Sequence, residues 1–194
     1  DLLVIPNIEN SYKRERARDE LPQSAAGRTI MTTEPKFVPN EAIEITLDNN
    51  LKFKTRLVDC VGYLVDNAIG YLEDDMPRMV KTPWSDQEIP FEKAAEIGTK
   101  KVIEEHSTIG VLITTDGSIT DIPREDYIKA EERVVSELKA LNKPFDIILN
   151  SNNPNSDYTT KLSEKLSEKY GCTVLPTNCE QLSIDDINNM FSKI

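Results

Sequence analysis

The alternation of helical and extended patterns after residue 92 constrains the fold of this chain most. The predicted order is helix 92–106, strand 109–114, helix 124–141, strand 145–149, helix 157–170 and strand 173–175. The last eleven residues also have a helical pattern. Because strands joined through a helix lie side by side and parallel, this order predicts an α/β domain with a mostly parallel sheet wrapped by helices.

One antiparallel element precedes this region. Residues 41–47 alternate polar and apolar side chains, and residues 51–59 become more apolar toward Asp59. Both patterns are typical of strands. The connection at 48–50 is too short for anything but a hairpin. We therefore predict a mostly parallel sheet with one antiparallel strand, within a single domain over residues 1–194.

Composition excludes several classes of function. A net charge of −11 argues against a general nucleic-acid binder, which needs a positive face. No apolar run approaches the roughly 18 residues that cross a bilayer. The three cysteines (Cys60, Cys172 and Cys179) have no metal-like spacing and are predicted to be reduced thiols.

The second predicted strand ends in the pattern D-x-x-G, formed by Asp59 and Gly62. An aspartate at a strand end can orient the water shell of Mg²⁺, and a glycine lets a backbone N–H approach a phosphate. A strand followed by an ordinary turn is the plain alternative. Three further polar segments, at 114–117, 150–153 and 177–179, also follow strands, and we expect all of them at one edge of the sheet.

This order of elements is similar to a small-GTPase-like P-loop domain from its second strand onward. The chain contains no G-x-x-x-x-G-K-[ST] motif. It also begins without Met, so the first strand and the phosphate loop are expected to lie upstream of residue 1. Without the backbone N–H groups and the lysine of that loop, the fragment is expected to bind nucleotide poorly and to be inactive.

The strand end at 150–153 indicates which nucleotide base, guanine or adenine, the site would accept. Asn150, Ser151, Asn152 and Asn153 take the place of the N-K-x-D motif of GTPases. The candidate nucleotide-binding residues are Asn150, Ser151 and Asn153, together with Gly62. Losing the charged acceptor at Asn153 should cost guanine selectivity a few kcal/mol and make adenine acceptable. A polar loop with Asx turns over 150–155 is the alternative.

Tyr63 follows the D-x-x-G pattern directly, where small GTPases keep a glutamine that orients water. A phenol cannot align water in the same way. Any water activation must therefore come from another group.

Several stretches of the sequence are specific enough to indicate a protein family. They are D-E-L-P-Q-S-A-A-G-R-T-I-M-T-T-E-P-K-F-V-P at 19–39, V-D-C-V-G-Y at 58–63, P-R-M at 77–79, T-P-W at 82–84, A-A-E-I-G-T at 94–99, H-S-T-I-G at 106–110 and A-E-E-R-V at 130–134. Through about residue 175 the chain closely resembles the stage IV sporulation protein A family, the spore coat morphogenetic ATPases of endospore-forming bacteria.

The resemblance implies an N-terminal domain that hydrolyses ATP with Mg²⁺. It also implies that hydrolysis drives self-assembly into a homopolymer, the basement layer of the spore coat. The layer lies on the forespore surface in the mother-cell cytoplasm, peripheral to the membrane and not spanning it. The implied partners are a small amphipathic membrane-associated peptide and other coat proteins, bound through middle and C-terminal regions beyond residue 194.

The resemblance also assigns site residues. Thr32 and Thr33 match threonines that sense and hydrolyse ATP, and Asp59 matches the aspartate linked to Mg²⁺. Thr33 and Asp59 are therefore the metal candidates, and all three are catalytic candidates. Strand-forming residues leading into Pro35 are the plain alternative for the threonines. A nucleotide-independent structural module and a GTPase of the same fold class remain the alternative functions.

Overall fold

The computed structural model describes residue 15, residues 35–46, residues 52–183 and residue 186. Its strands are β1 (Lys36–Thr46), β2 (Lys52–Asp59), β3 (Leu72–Glu73), β4 (Met76–Pro77), β5 (Met79–Thr82), β6 (Ser85–Pro90), β7 (Gly110–Thr115), β8 (Phe145–Asn150) and β9 (Val174–Thr177). Its helices are α1 (Phe91–Lys101), α2 (Ile128–Ala140) and α3 (Asp157–Tyr170). Thr32, Thr33 and most of the predicted C-terminal helix lie outside the described residues.

The predicted parallel arrangement is confirmed for β7, β8 and β9. They form a three-stranded parallel sheet in that order, with Leu112, Ile147 and Val174 in register. The connections run through α2 and α3, which pack on the same face of the sheet. The core on this face consists of Val135, Ile147, Leu149, Leu166, Tyr170 and Val174.

Local sequence signals fix the ends of α3. The Ser156 hydroxyl accepts a hydrogen bond from the Thr159 N–H at 3.1 Å, which is an N-cap. Gly171 ends the helix with a φ of +63°, the left-handed conformation that favours glycine. The helix therefore begins and ends where its amphipathic pattern predicts.

The predicted helix 92–106 ends differently from a regular α-helix. After α1 the chain widens into a π-helical turn, Val102–His106, and the Ser107 N–H bonds the Val102 carbonyl at 2.9 Å. The Lys143 ammonium donates to the carbonyls of Ile103, Glu104 and Ser107. A cation there satisfies carbonyls that a helix end leaves open.

The antiparallel strands differ from the prediction in two respects. β1 and β2 pair antiparallel as predicted, but within the described part of the chain they form a sheet separate from β7–β9. Between them and α1 lie two small antiparallel hairpins, β3–β4 and β5–β6, which the sequence pattern did not predict. β3 and β4 have two residues each, too few for an alternation, and polar and apolar side chains do not alternate regularly along β5 and β6. None of the helices in the described part of the chain combines the length and the apolar character of a membrane span.

Candidate functional site

The polar ends of β7, β8 and β9 meet at one edge of the parallel sheet. The Asp116 N–H donates to the Asn150 carbonyl at 3.2 Å, and the Ser151 N–H donates to the Thr177 carbonyl at 3.0 Å. The Asn150 side-chain oxygen accepts from the Cys179 N–H at 3.0 Å. Three of the four predicted strand ends are therefore brought together through direct hydrogen bonds.

Asp116, which is not among the predicted site residues, organises this edge. It is buried, and its Oδ1 accepts from the Ser118 N–H at 2.9 Å and the Ser118 hydroxyl at 2.6 Å. Its Oδ2 accepts from the Thr159 hydroxyl at 2.8 Å. Burial by itself raises the pKa of this carboxyl, but the hydrogen bonds from Ser118, Ser151 and Thr159 outweigh burial, so the pKa lies below its ordinary value.

The spacing Asp116-Gly117-Ser118 could have indicated this role. An Asx turn of this kind binds the backbone two residues further on. The same carboxylate also receives a hydroxyl from α3, so it joins the end of β7 to the helix that follows β8. Only the fold brings that second contact.

The candidate base loop is held firmly by its own polar side chains. Ser151 is completely buried, with its hydroxyl 3.3 Å from the Thr159 hydroxyl, and it accepts from the Asn153 N–H at 3.0 Å. Asn152 donates to Ser118 through its backbone N–H, at 2.9 Å, and through its side chain. In this arrangement Ser151 shapes the loop, whereas Asn153 is exposed at its rim. Such rigidity suits a base-binding loop and equally suits an ordinary capped turn.

The loop after β2 has the backbone that a phosphate contact requires. Asp59 is exposed at the end of β2, and Gly62 has a φ of +81°. A Cβ added at Gly62 would meet no atom of the described residues within 4 Å, so among them the side that a side chain would cover is open. Burial raises the pKa of the nearby Cys60 thiol, and the Gly62 backbone N–H only partly offsets that rise.

The donor set at this loop suits Mg²⁺. Bound with phosphates, Mg²⁺ takes one or two carboxylates and otherwise phosphate oxygens and waters. Asp59 is such a carboxylate. The described ranges contain no group of three or more His, Cys, Asp or Glu side chains placed to hold a metal by themselves. The acidic stretch at 73–75 is exposed; its first residue ends β3, and the other two form the turn into β4.

Tyr63 points toward helix α2. It is 7% exposed, its ring lies under the Arg133 guanidinium at 3.8 Å, and its hydroxyl donates to Glu137. Burial first, and then the hydrogen bond to Glu137, raise the pKa of Tyr63 well above its ordinary value. The sequence predicts only that this phenol does not align water; its contacts with Arg133 and Glu137 appear in the fold alone.

Comparison with known proteins gives a consistent result. The family model described as "Stage IV sporulation protein A, ATPase domain" matches residues 1–194. Curated stage IV sporulation A proteins are 59% identical over 191 residues in Bacillus anthracis, 56% over 187 in Bacillus subtilis (strain 168) and 52% over 192 in Clostridioides difficile (strain 630).

These alignments cover 98%, 96% and 99% of this chain but 39%, 38% and 39% of the respective relatives. The chain thus spans about two fifths of their length. No solved structure gives a significant match. Because the family model extends over every residue of the sequence, the chain belongs to the stage IV sporulation protein A family and corresponds to its ATPase domain.

Proposed function

We propose that this chain is the ATP-binding and ATP-hydrolysing domain of a spore coat morphogenetic protein. The observation that carries the proposal is the match of the whole chain to an ATPase-domain family. The local geometry agrees with it, because an open left-handed glycine follows a strand-end aspartate.

The fold that fits this function is a small-GTPase-like P-loop domain with three layers. In that arrangement β1–β2 and β7–β9 are two parts of one sheet, and a first strand between them carries the phosphate loop. Two observations support the proposal. Among the described residues β7 pairs only with β8, and the side chains of Val111 and Ile113 on β7 are 41% and 60% exposed.

The chain's own residues would divide the chemistry as follows. Asp59 and Thr33 would hold Mg²⁺, and Thr32 and Thr33 would respond to the terminal phosphate. The Gly62 N–H would donate to a phosphate oxygen. When bound, Mg²⁺ neutralises charge on the phosphate oxygens.

The loop 150–153 would receive the base. Asn150 would be held by Cys179, Ser151 would hold the loop from inside, and Asn153 would face the ligand with a neutral amide. A neutral amide at this position favours ATP over GTP. On this proposal hydrolysis drives self-assembly into the basement layer on the forespore surface. Recruitment would come from a small amphipathic membrane-associated peptide and other coat proteins that bind elsewhere in the whole protein.

The test measures phosphate release by the full-length natural protein with Mg²⁺ and ATP. Asp59→Ala, and the pair Thr32→Ala/Thr33→Ala, are expected to lower kcat by about 100-fold or more, as loss of a group acting on the transition state does. Asp86→Ala on β6 removes an exposed carboxylate elsewhere and is expected to leave kcat within about twofold.

A competition measurement tests the preference for ATP over GTP. Excess GTP should reduce the hydrolysis of ATP only slightly. Phosphate release that persists without Asp59 would falsify the assigned chemistry. A full-length protein that assembles normally with no nucleotide would favour the structural-module alternative.

A further inference from the structure

The segment that follows Gly62 is bound along one face of helix α2 and the turn before it. Four residues of that face contact residues 63–67. They are Asp126 (with Asn67, 2.7 Å), Lys129 (with Asp66, 2.6 Å), Arg133 (over the Tyr63 ring) and Glu137 (with the Tyr63 hydroxyl). Residues three or four apart share one side of a helix, so these four form a continuous stripe.

The four contacts are not equivalent. Lys129 and Asp66 are exposed at 81% and 51%, and an ion pair this exposed contributes about 0–1 kcal/mol. Asn67 and Asp126 also form an exposed contact. Tyr63 is buried, and it combines a hydrogen bond to a carboxylate with a cation on its ring face, both of which strengthen away from water. Tyr63 is therefore the anchor of the segment.

Arg133 extends this contact to a third element. Its guanidinium pairs with Glu96 on α1 and with Glu137 on α2, while it covers the Tyr63 ring. Glu96, and to a smaller extent Glu137, raise the pKa of Arg133 above its ordinary value, which is already high. The chain after Gly62 is thereby held between two helices.

We infer that Tyr63 is a positioning residue for the loop that carries Asp59 and Gly62. The peptide of Gly62 continues directly into Tyr63, so fixing the ring and hydroxyl on α2 restricts where the Gly62 N–H can point. The catalytic half of this inference rests on the proposed function of that loop. As a consequence, Arg133 and Glu137 of α2 fix the position of the loop through Tyr63. Small GTPases instead have at this position a side chain that acts on water.

Ordinary core packing is the competing explanation, and the chain contains a matched control for it. Tyr170 on α3 is also buried, and its hydroxyl donates to Glu131 on α2 at 2.6 Å. Tyr63→Phe and Tyr170→Phe each remove one hydroxyl and one hydrogen bond to a glutamate of the same helix. Only Tyr63 belongs to the segment after Gly62.

The experiment uses the full-length protein with three measurements: thermal unfolding, amide hydrogen exchange of residues 60–67 without nucleotide, and kcat and KM for ATP. Both variants are expected to lower the unfolding midpoint to a similar extent. Tyr63→Phe alone should speed exchange of residues 60–67 about fivefold, the equivalent of one hydrogen bond. It should also lower kcat about tenfold with KM within about twofold, because misplacement affects the reaction more than binding.

Glu137→Gln keeps an acceptor for the Tyr63 hydroxyl but removes its charge, so it should show the same effects at smaller size. Equal exchange of residues 60–67 in Tyr63→Phe and Tyr170→Phe would overturn the inference, as would faster exchange with unchanged kcat. So would a Tyr63→Gln variant that hydrolyses ATP faster than wild type, because the side chain would then act on water.

A wild-type protein that releases no phosphate contradicts the proposed function and, with it, the catalytic half of this inference. The exchange comparison without nucleotide still decides whether Tyr63 holds the loop. The two failures are therefore distinguishable.

Discussion

Two buried tyrosines are each held by a hydrogen bond from the hydroxyl to a glutamate of helix α2. The Tyr63 hydroxyl donates to Glu137 and the Tyr170 hydroxyl to Glu131. Glu131 is almost completely buried and also receives the Arg124 guanidinium at 2.7 and 2.9 Å. A buried carboxylate is tolerated only when it is paired in this way.

Both tyrosines are expected to ionise at a higher pH than an ordinary tyrosine, which titrates near pH 10. Burial is the larger cause in each case, and the glutamate is the second. A pKa raised in the folded state contributes stability that is complete below about pH 10 and is lost as the pH rises through the folded-state pKa. Ultraviolet absorbance at alkaline pH measures the ionisation.

Glu137→Gln should bring the Tyr63 transition down toward the ordinary range, though not into it, because burial remains. Tyr170 should be unaffected by that change. All six tyrosines of the chain titrating together near pH 10 while the protein stays folded would contradict this prediction.

At the scale of secondary-structure elements, the carboxylate of Asp116 joins β7 to α3. Because hydrogen bonds hold its pKa below the ordinary value, its stabilising effect is present above about pH 4 and is lost as the pH falls through the folded-state pKa. Asp116→Asn should lower the free energy of unfolding at pH 7 by about 1–3 kcal/mol, since an amide accepts fewer hydrogen bonds. It should also flatten the decline in stability below pH 4.

Denaturant unfolding at several pH values provides the measurement. Asp86→Asn, on the exposed side of β6, is the control and should change neither quantity much. An unchanged acid dependence in Asp116→Asn would show that other carboxylates dominate acid unfolding.

At the scale of the whole molecule, one face of β7 has two exposed apolar side chains in the described part of the chain. Leu112 packs into the core under α2, whereas Val111 and Ile113 are 41% and 60% exposed. In the proposed P-loop fold a neighbouring strand and a helix cover them. Ile113→Asp in the full-length protein should then lower the free energy of unfolding by about 2–4 kcal/mol, because a charge would enter a covered apolar site.

Ile69→Asp is the matched control, because Ile69 is 52% exposed in the segment between Tyr63 and β3. It is expected to cost less than about 1 kcal/mol. Scanning calorimetry of the two variants gives the comparison. Equally small effects would mean that β7 is an exposed edge in the whole protein too, against the proposed fold.

For the part of the chain from β7 to β9, the amino-acid sequence by itself determined the helices, the strands and their parallel connections. Their signals are local: α3 follows from its amphipathic spacing, its Ser156 cap and Gly171. The long family-specific strings likewise predicted the family, which is confirmed. The roles of Thr32, Thr33 and Asp59 stay predictions.

Only the tertiary structure decided how the site is held. The Tyr63 contact with Glu137 spans 74 residues of sequence, and that of Asp116 with Thr159 spans 43. No local periodicity encodes such pairs, because they depend on which helix face packs beside which loop. For the same reason, the hairpin pattern could not show that, among the described residues, β1–β2 and β7–β9 are not hydrogen-bonded to each other, since strand neighbours in a sheet need not be neighbours in sequence.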